Sequence, residues 1–88
     1  VYVLGEVVRP QVISFGTTSL TLMEALGNSG GLAPDSADGN AVYVIRSGDV
    51  NGQTATVYHL NAEKPTAFIL ARQFTLEAQD VVFVGPAN

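Results

Sequence analysis

Three glycines, Gly27, Gly30 and Gly31, crowd into residues 20–32, LTLMEALGNSGGL. A glycine-rich turn beside a helix can hold a phosphate, because bare backbone N–H groups close around the anion. The spacing here argues for a different role. Thr21 with Glu24 three residues later fits a capping box, the Thr hydroxyl taking a backbone N–H and the Glu reaching back. The helix therefore starts at Thr21 and runs to about Ser29, and the glycines fall at its C-terminal end. That end presents carbonyls and partial negative charge, whereas anions bind at the N-terminus. A phosphate loop also needs a preceding strand and usually a Lys, and neither is present. Gly30 or Gly31 is expected in the left-handed conformation that ends a helix, with Leu32 folding back on the apolar face.

Other candidate chemistry fails on spacing. Asp35, Asp38 and Gly39 faintly suggest a calcium loop. Counted from Asp35, however, the third position is Ala37 and the twelfth is Arg46, where oxygen ligands are needed. His59 is the only histidine and lies between Tyr58 and Leu60 in a strand-like run. It reads as an exposed or hydrogen-bonded strand residue, since one His without Cys or carboxylate neighbours makes a poor metal site. Glu6, Glu24, Glu63, Glu77 and Asp80 are spread over separate elements, and nothing in their spacing favours an acid–base pair. Ser14, Ser19, Ser29, Ser36 and Ser47 lack a nucleophile-elbow context. Catalytic, metal and cofactor residues are therefore expected to be none, and ligand-binding residues stay open. Core packing accounts for most of the aromatics, while an exposed Tyr keeps the option of stacking on a sugar ring.

The elements that must position these residues follow from pattern. Val1 to Val8 reads as a strand, Arg9-Pro10-Gln11 as a turn, and Val12 to Phe15 as a second strand closing a hairpin. Leu22, Met23 and Leu26 fall on one face of the helix and are expected to dock it on the sheet. Residues 33–40 read as a polar loop, 41–46 (AVYVIR) and 54–60 (TATVYHL) as a strand pair, and 47–53 as their turn. Pro65 to Arg72 reads as a short helix with Pro in its first turn. Phe74 to Leu76 is extended, and Asp80 to Val84 is a near-continuous apolar run expected to be a central strand buried on both faces. The fold class is α+β, a roll with a mixed sheet of four or five strands covered by one main helix.

Composition bounds the partners. The chain has 88 residues, 47% of them hydrophobic, and fits one small domain. Charged residues make up 14%, against about 25% in typical domains. That scarcity points to surfaces covered by other domains or subunits. A net charge of −4 with Arg9, Arg46, Lys64 and Arg72 scattered argues against nucleic acid. The absence of Cys excludes thiolate metal sites and disulfides. No apolar run approaches the ~20 residues of a membrane helix. Val1 begins in mid-pattern without a signal peptide, so the chain reads as a piece of a longer protein.

The motifs VYVLGEVVRP, LTLMEALGNSGGL, AVYVIR, VYHL and FTLEAQDVVFV together resemble the soluble-ligand-binding β-grasp (SLBB) domain of Wza-type outer-membrane polysaccharide export proteins. The resemblance runs from Val1 to about Pro86 and is nearest to the second of the two such domains in those proteins. Two departures concern turns: Pro10-Gln11 stands where relatives often have Pro-Gly, and Gln79-Asp80 where many have Gly-Asp. The resemblance implies a β-grasp-like roll, a single domain over residues 1–88, and a parent that is an outer-membrane lipoprotein with this domain at the periplasmic face. It implies a homo-oligomeric ring through which capsular or exopolysaccharide passes, and an inner-membrane polysaccharide co-polymerase as partner. It implies no enzyme activity and no cofactor. A structural and assembly module is the first reading, and a carbohydrate-binding module touching the moving chain is the alternative. Assembly contacts are expected at the edge strands and at residues 33–40 and 47–53.

Overall fold

The computed structural model describes residues 1–48 and 53–87. The elements run β1 (Tyr2–Gly5), β2 (Gln11–Val12), α1 (Leu22–Asn28), β3 (Ala37–Ser47), β4 (Ala55–Leu60), α2 (Ala67–Gln73) and β5 (Val81–Pro86). This is the order the sequence implies. The strands form one mixed sheet in the order β2-β1-β5-β3-β4. β1 and β5 run parallel, and the other pairs are antiparallel. The architecture is an α+β, β-grasp-like roll. Its cover is two helices of seven residues each rather than one main helix.

Val3, Val82 and Val44 form a lateral row across β1, β5 and β3, and Val84 with Val42 forms the next. All five are buried, and Leu22 and Ala25 of α1 join them in one core. Met23 does not: it is 40% exposed, while Ala25 takes the place on the core face. A helical step of 100° puts residues 22, 25, 26 and 29 on one side, and Met23 falls just outside that arc.

Several boundaries differ from expectation for local reasons. β1 stops at Gly5, whose φ of +85° breaks the extended run, so the stretch 1–8 is a strand, a turn and then a single bridge from Val7 to Leu32. A Cβ at Gly5 would lie 2.2 Å from the Val84 carbonyl oxygen, a distance no side chain tolerates. β2 falls at 11–12 instead of 12–15, although it closes the expected hairpin through Tyr2 opposite Val12. The polar stretch 33–40 is a loop only in part: Ala37 to Asn40 belong to β3, with a register shift between Ala37 and Val42. A bulge lets polar residues ride on an irregular strand. α2 begins at Ala67, after Pro65 and Thr66. The expected turn at 47–53 lies largely outside the described residues.

β5 is central, as its apolar run implies, but covered on one side alone. Val82 and Val84 are buried whereas Phe83 is 37% exposed. Both helices pack on the same face of the sheet as Val3 and Val42, and among the described residues no layer covers the opposite face.

Candidate functional site

The one dense polar constellation among the described residues surrounds Arg46. Arg46 ends the run AVYVIR, and Asp80 precedes β5. The pairing of β3 with β5 brings the two together from 34 residues apart. The guanidinium grips Asp80 with two bonds, Nε to Oδ1 at 3.0 Å and Nη2 to Oδ2 at 2.8 Å. Its Nη1 lies 3.1 Å from Glu77. Asp80 is 1% exposed and also accepts the Glu77 backbone N–H at 2.8 Å. The Arg46 plane stands over the Tyr58 and Phe74 rings, 5.3 and 5.5 Å from their centres. Hydrogen bonding to Asp80 raises the guanidinium above its ordinary value against the opposing effect of burial. The result is an ion-paired clamp locking the turn 75–80 onto β3. Two of the dispersed carboxylates, Glu77 and Asp80, thus do meet, but around an arginine. The sequence shows a lone Arg inside an apolar strand and an Asp before another, but nothing in it pairs the two.

The clamp also explains the departure at Gln79. This residue has φ of +72°, the one non-glycine in the left-handed region among the described residues. The turn is held at both ends, by Asp80 and by the Asp80 N–H donating to the Glu77 carbonyl, so Gln is carried into a conformation that glycine adopts without cost.

The glycine-rich stretch is a helix end, as its spacing dictates. Thr21 accepts from the Glu24 N–H, and Glu24 accepts from the Thr21 N–H, so the capping box is complete. At the other end Gly31 N–H donates to the Leu26 carbonyl and Gly30 N–H to that of Gly27. This is the paired-bond Schellman motif, with φ of +81° and +82° at Gly30 and Gly31. The open carbonyls attract donors. Gln11 Nε2 donates to the Asn28 carbonyl at 2.9 Å, and the Arg9 N–H to the Ser29 carbonyl at 2.8 Å. Gln11 therefore has a task that a glycine could not perform: it ties β2 to the end of α1.

The remaining candidates stay apart. Asp38 accepts the Asn40 N–H within the β3 bulge, and Asp35 is exposed. Among the described residues no three His, Cys, Asp or Glu come together around a common point. His59 is exposed, stacks beside Tyr43 with ring centres 5.3 Å apart, and meets the Asn40 carbonyl through Nε2. Ser29 is buried and bonded to Gln11.

What the fold leaves open is apolar. Residues facing each other across strands share a face, so the registers place Tyr2, Val81, Ile45 and Val57 in one outward row and Leu4, Phe83, Tyr43 and His59 in the next. No Asp, Glu, Lys or Arg occupies these positions. α2 adds to this in an unusual way. It docks through the small residues Ala67 and Ala71 and turns Phe68, Ile69 and Leu70 outward, each more than half exposed. Between α2 and β4 lies a groove of about 570 Å³ floored by Leu22, Val42 and Val44 and flanked by Tyr58, Leu70 and Phe74. Such surfaces suit contact with another macromolecular surface.

The SLBB domain family model matches residues 1–84, so the chain belongs to the SLBB domain family. The chain is 49% identical over 88 residues to the EPS I polysaccharide export outer membrane protein EpsA of Ralstonia nicotianae, with all of the chain and 23% of that protein aligned. It is 49% identical over 84 residues to EpsA of Ralstonia solanacearum, with 96% of the chain and 22% of that protein aligned. It is 31% identical over 102 aligned positions to the capsule polysaccharide export protein BexD of Haemophilus influenzae, covering 96% of the chain and 26% of that protein. The chain thus spans about a quarter of the length of these relatives.

Proposed function

We propose that this chain is a structural and assembly domain of a longer outer-membrane polysaccharide export protein. In this reading residues 1–88 form one domain on the periplasmic side of the outer membrane, in a lipoprotein that assembles with copies of itself into a ring. Exopolysaccharide or capsule passes through the ring, and an inner-membrane co-polymerase delivers it. The domain catalyses nothing. The observation that carries this is the wide, uncharged open face of the sheet, centred on Phe83. A bare face of that kind is a buried surface awaiting its cover. The low charge and net negative balance also suit a conduit that must not grip an anionic glycan.

The test places Phe83→Asp in the full-length protein. Phe83 is 37% exposed, so the domain is expected to fold while the assembly falls apart and surface polysaccharide is lost. Unchanged sedimentation and unchanged surface polysaccharide would overturn the reading.

A second reading has one observation in its favour. Tyr2, Tyr43 and Phe83 put aromatic rings on the open face, and such rings stack on sugars. Against it, that face offers few polar groups for sugar hydroxyls. Titrating the 88-residue chain with oligosaccharides of the exported polymer separates the two, with no saturable shift of the Tyr43 or Phe83 ring signals expected.

A further inference from the structure

The sheet has two free edges, and their backbone geometry is complementary. At β4 the Gly48 N–H bonds to the Thr54 carbonyl, and the register continues without a break from Ser47 opposite Ala55 to Val42 opposite Leu60. Hydrogen-bonded pairs alternate along an antiparallel ladder. Thr56, Tyr58 and Leu60 therefore bond inward to β3, while Ala55, Val57 and His59 turn their N–H and C=O groups outward. This explains why Val57 and His59, whose side chains lie on the open face, still line the groove beside α2. At the opposite edge Val1 and Ile13 exchange both backbone bonds, so the next residue along β2, Val12, turns its own N–H and C=O away from the sheet.

Natural edges are guarded by charge, proline or a bulge. Ala55 to Leu60 has none of these: the run is ATVYHL in regular register. An unguarded edge of six residues is a template for another strand.

We infer that β4 of one copy accepts β2 of the next copy as a sixth strand, so that the sheets of neighbouring subunits join edge to edge. The inference rests on the ring reading given above and adds the contact that builds it. Three observations favour a second copy as the occupant. First, β2 and β4 run in opposite directions, because β4 runs with β1 and β5 while β2 opposes β1. Copies set side by side in the same orientation therefore meet in antiparallel register. Second, one outward row of side chains crosses the whole sheet as Val12, Tyr2, Val81, Ile45 and Val57. It begins at one free edge with Val12, 62% exposed, and ends at the other with Val57, 58% exposed. Placing Val57 beside the next copy's Val12 continues the row and keeps the open face on one side. Third, the joint lies where the chain has no charge. Neither residues 11–15 nor residues 55–60 include Asp, Glu, Lys or Arg, so two chains of net charge −4 meet there without repulsion.

Each copy uses two different edges, which is the heterologous contact that closes into a ring. A joint of one short strand falls well short of the roughly 1,200 Å² that a free-standing interface needs. It holds when the rest of the longer chain keeps the edges at high effective concentration.

The absence of Cys from the chain makes cross-linking direct. Val12→Cys and Val57→Cys are prepared separately in the full-length protein, mixed before assembly and oxidised. Directly paired residues lie about 5.5 Å apart between Cα atoms, within disulfide reach. Both sites are exposed, so folding is expected to be unchanged, which circular dichroism checks. The expected result is a cross-linked pair containing one copy of each variant, and no cross-link with either variant alone. Pairs of Val57→Cys with itself would mean that like edges meet, and would overturn the inference. So would the absence of any cross-link in a wild-type-sized oligomer, which leaves the ring reading standing. A wild-type protein that sediments as a monomer would overturn both. Hydrogen exchange needs no variant: amides of residues 55–60 are expected to exchange more slowly in the assembled protein than in the 88-residue chain, and equal rates would overturn the joint.

Discussion

Replacing Arg46 by Met removes the counter-ion of a carboxyl that is 1% exposed and leaves it the Glu77 N–H alone. Breaking a buried pair in this way costs about 3–5 kcal/mol, and thermal or urea unfolding should read that loss. Arg46→Lys keeps the charge but not the two-pronged grip, and a smaller loss of about 1.5–3 kcal/mol is expected. The pH behaviour follows from the direction of the shift. The folded guanidinium titrates above its ordinary value, chiefly through its hydrogen bonds to Asp80, so its contribution is complete below that ordinary value and fades only in strong alkali. Melting temperature across neutral and mildly alkaline pH should show no step from this group. Gln79 offers the opposite experiment. At φ of +72° an L-residue carries about 1–2 kcal/mol of strain, so Gln79→Gly is expected to raise the melting temperature, and a fall would show that its side chain contributes more than its backbone costs.

At the scale of elements, the two glycines that end α1 are not equivalent. Both have positive φ, but a Cβ at Gly30 would sit 2.8 Å from the Val8 Cβ whereas one at Gly31 meets open space. Gly31→Ala should cost about 1 kcal/mol and Gly30→Ala clearly more, as compared by chemical denaturation. This helix end was legible in the sequence because everything that defines it lies within a dozen residues: Thr21, Glu24, Gly30 and Gly31. The second helix was legible only as a helix. The sequence pattern names no face for it: Phe68, Ile69 and Leu70 turn outward, and Ala67 and Ala71 are the pair inside. An i, i+4 pair of small residues lets a helix approach closely, and no local rule says which face the fold chooses. Leu70→Lys is therefore expected to change the stability of the 88-residue chain by less than about 0.5 kcal/mol.

For the whole molecule, the expectation is a monomer or weak oligomer when the 88-residue chain is sedimented at tens of micromolar, since its contact edges are short. A closed ring from this piece alone would show that the interface is larger than one edge. Element order and the central place of β5 could be read from sequence, because apolar runs and turn residues mark them. The bare face could not. VVFV looks the same whether its second side is covered by the chain's own helices or left for another surface. The Arg46–Asp80 clamp was hidden for a related reason: its partners lie 34 residues apart, and only the β3–β5 register brings them together.

The parallel pairing of the first and last strands has a mechanical consequence. Tyr2 lies opposite Val81 and Gly5 opposite Val84, so the chain comes in at one end of the sheet and goes out at the other. Tension applied between Val1 and Ala87 pulls β1 and β5 along their length in opposite senses. The four register pairs then bear the load in shear, all at once, instead of peeling open one after another. A domain strung in line in this way transmits force along its strands with little give, and it yields abruptly when the joint between its two ends slips.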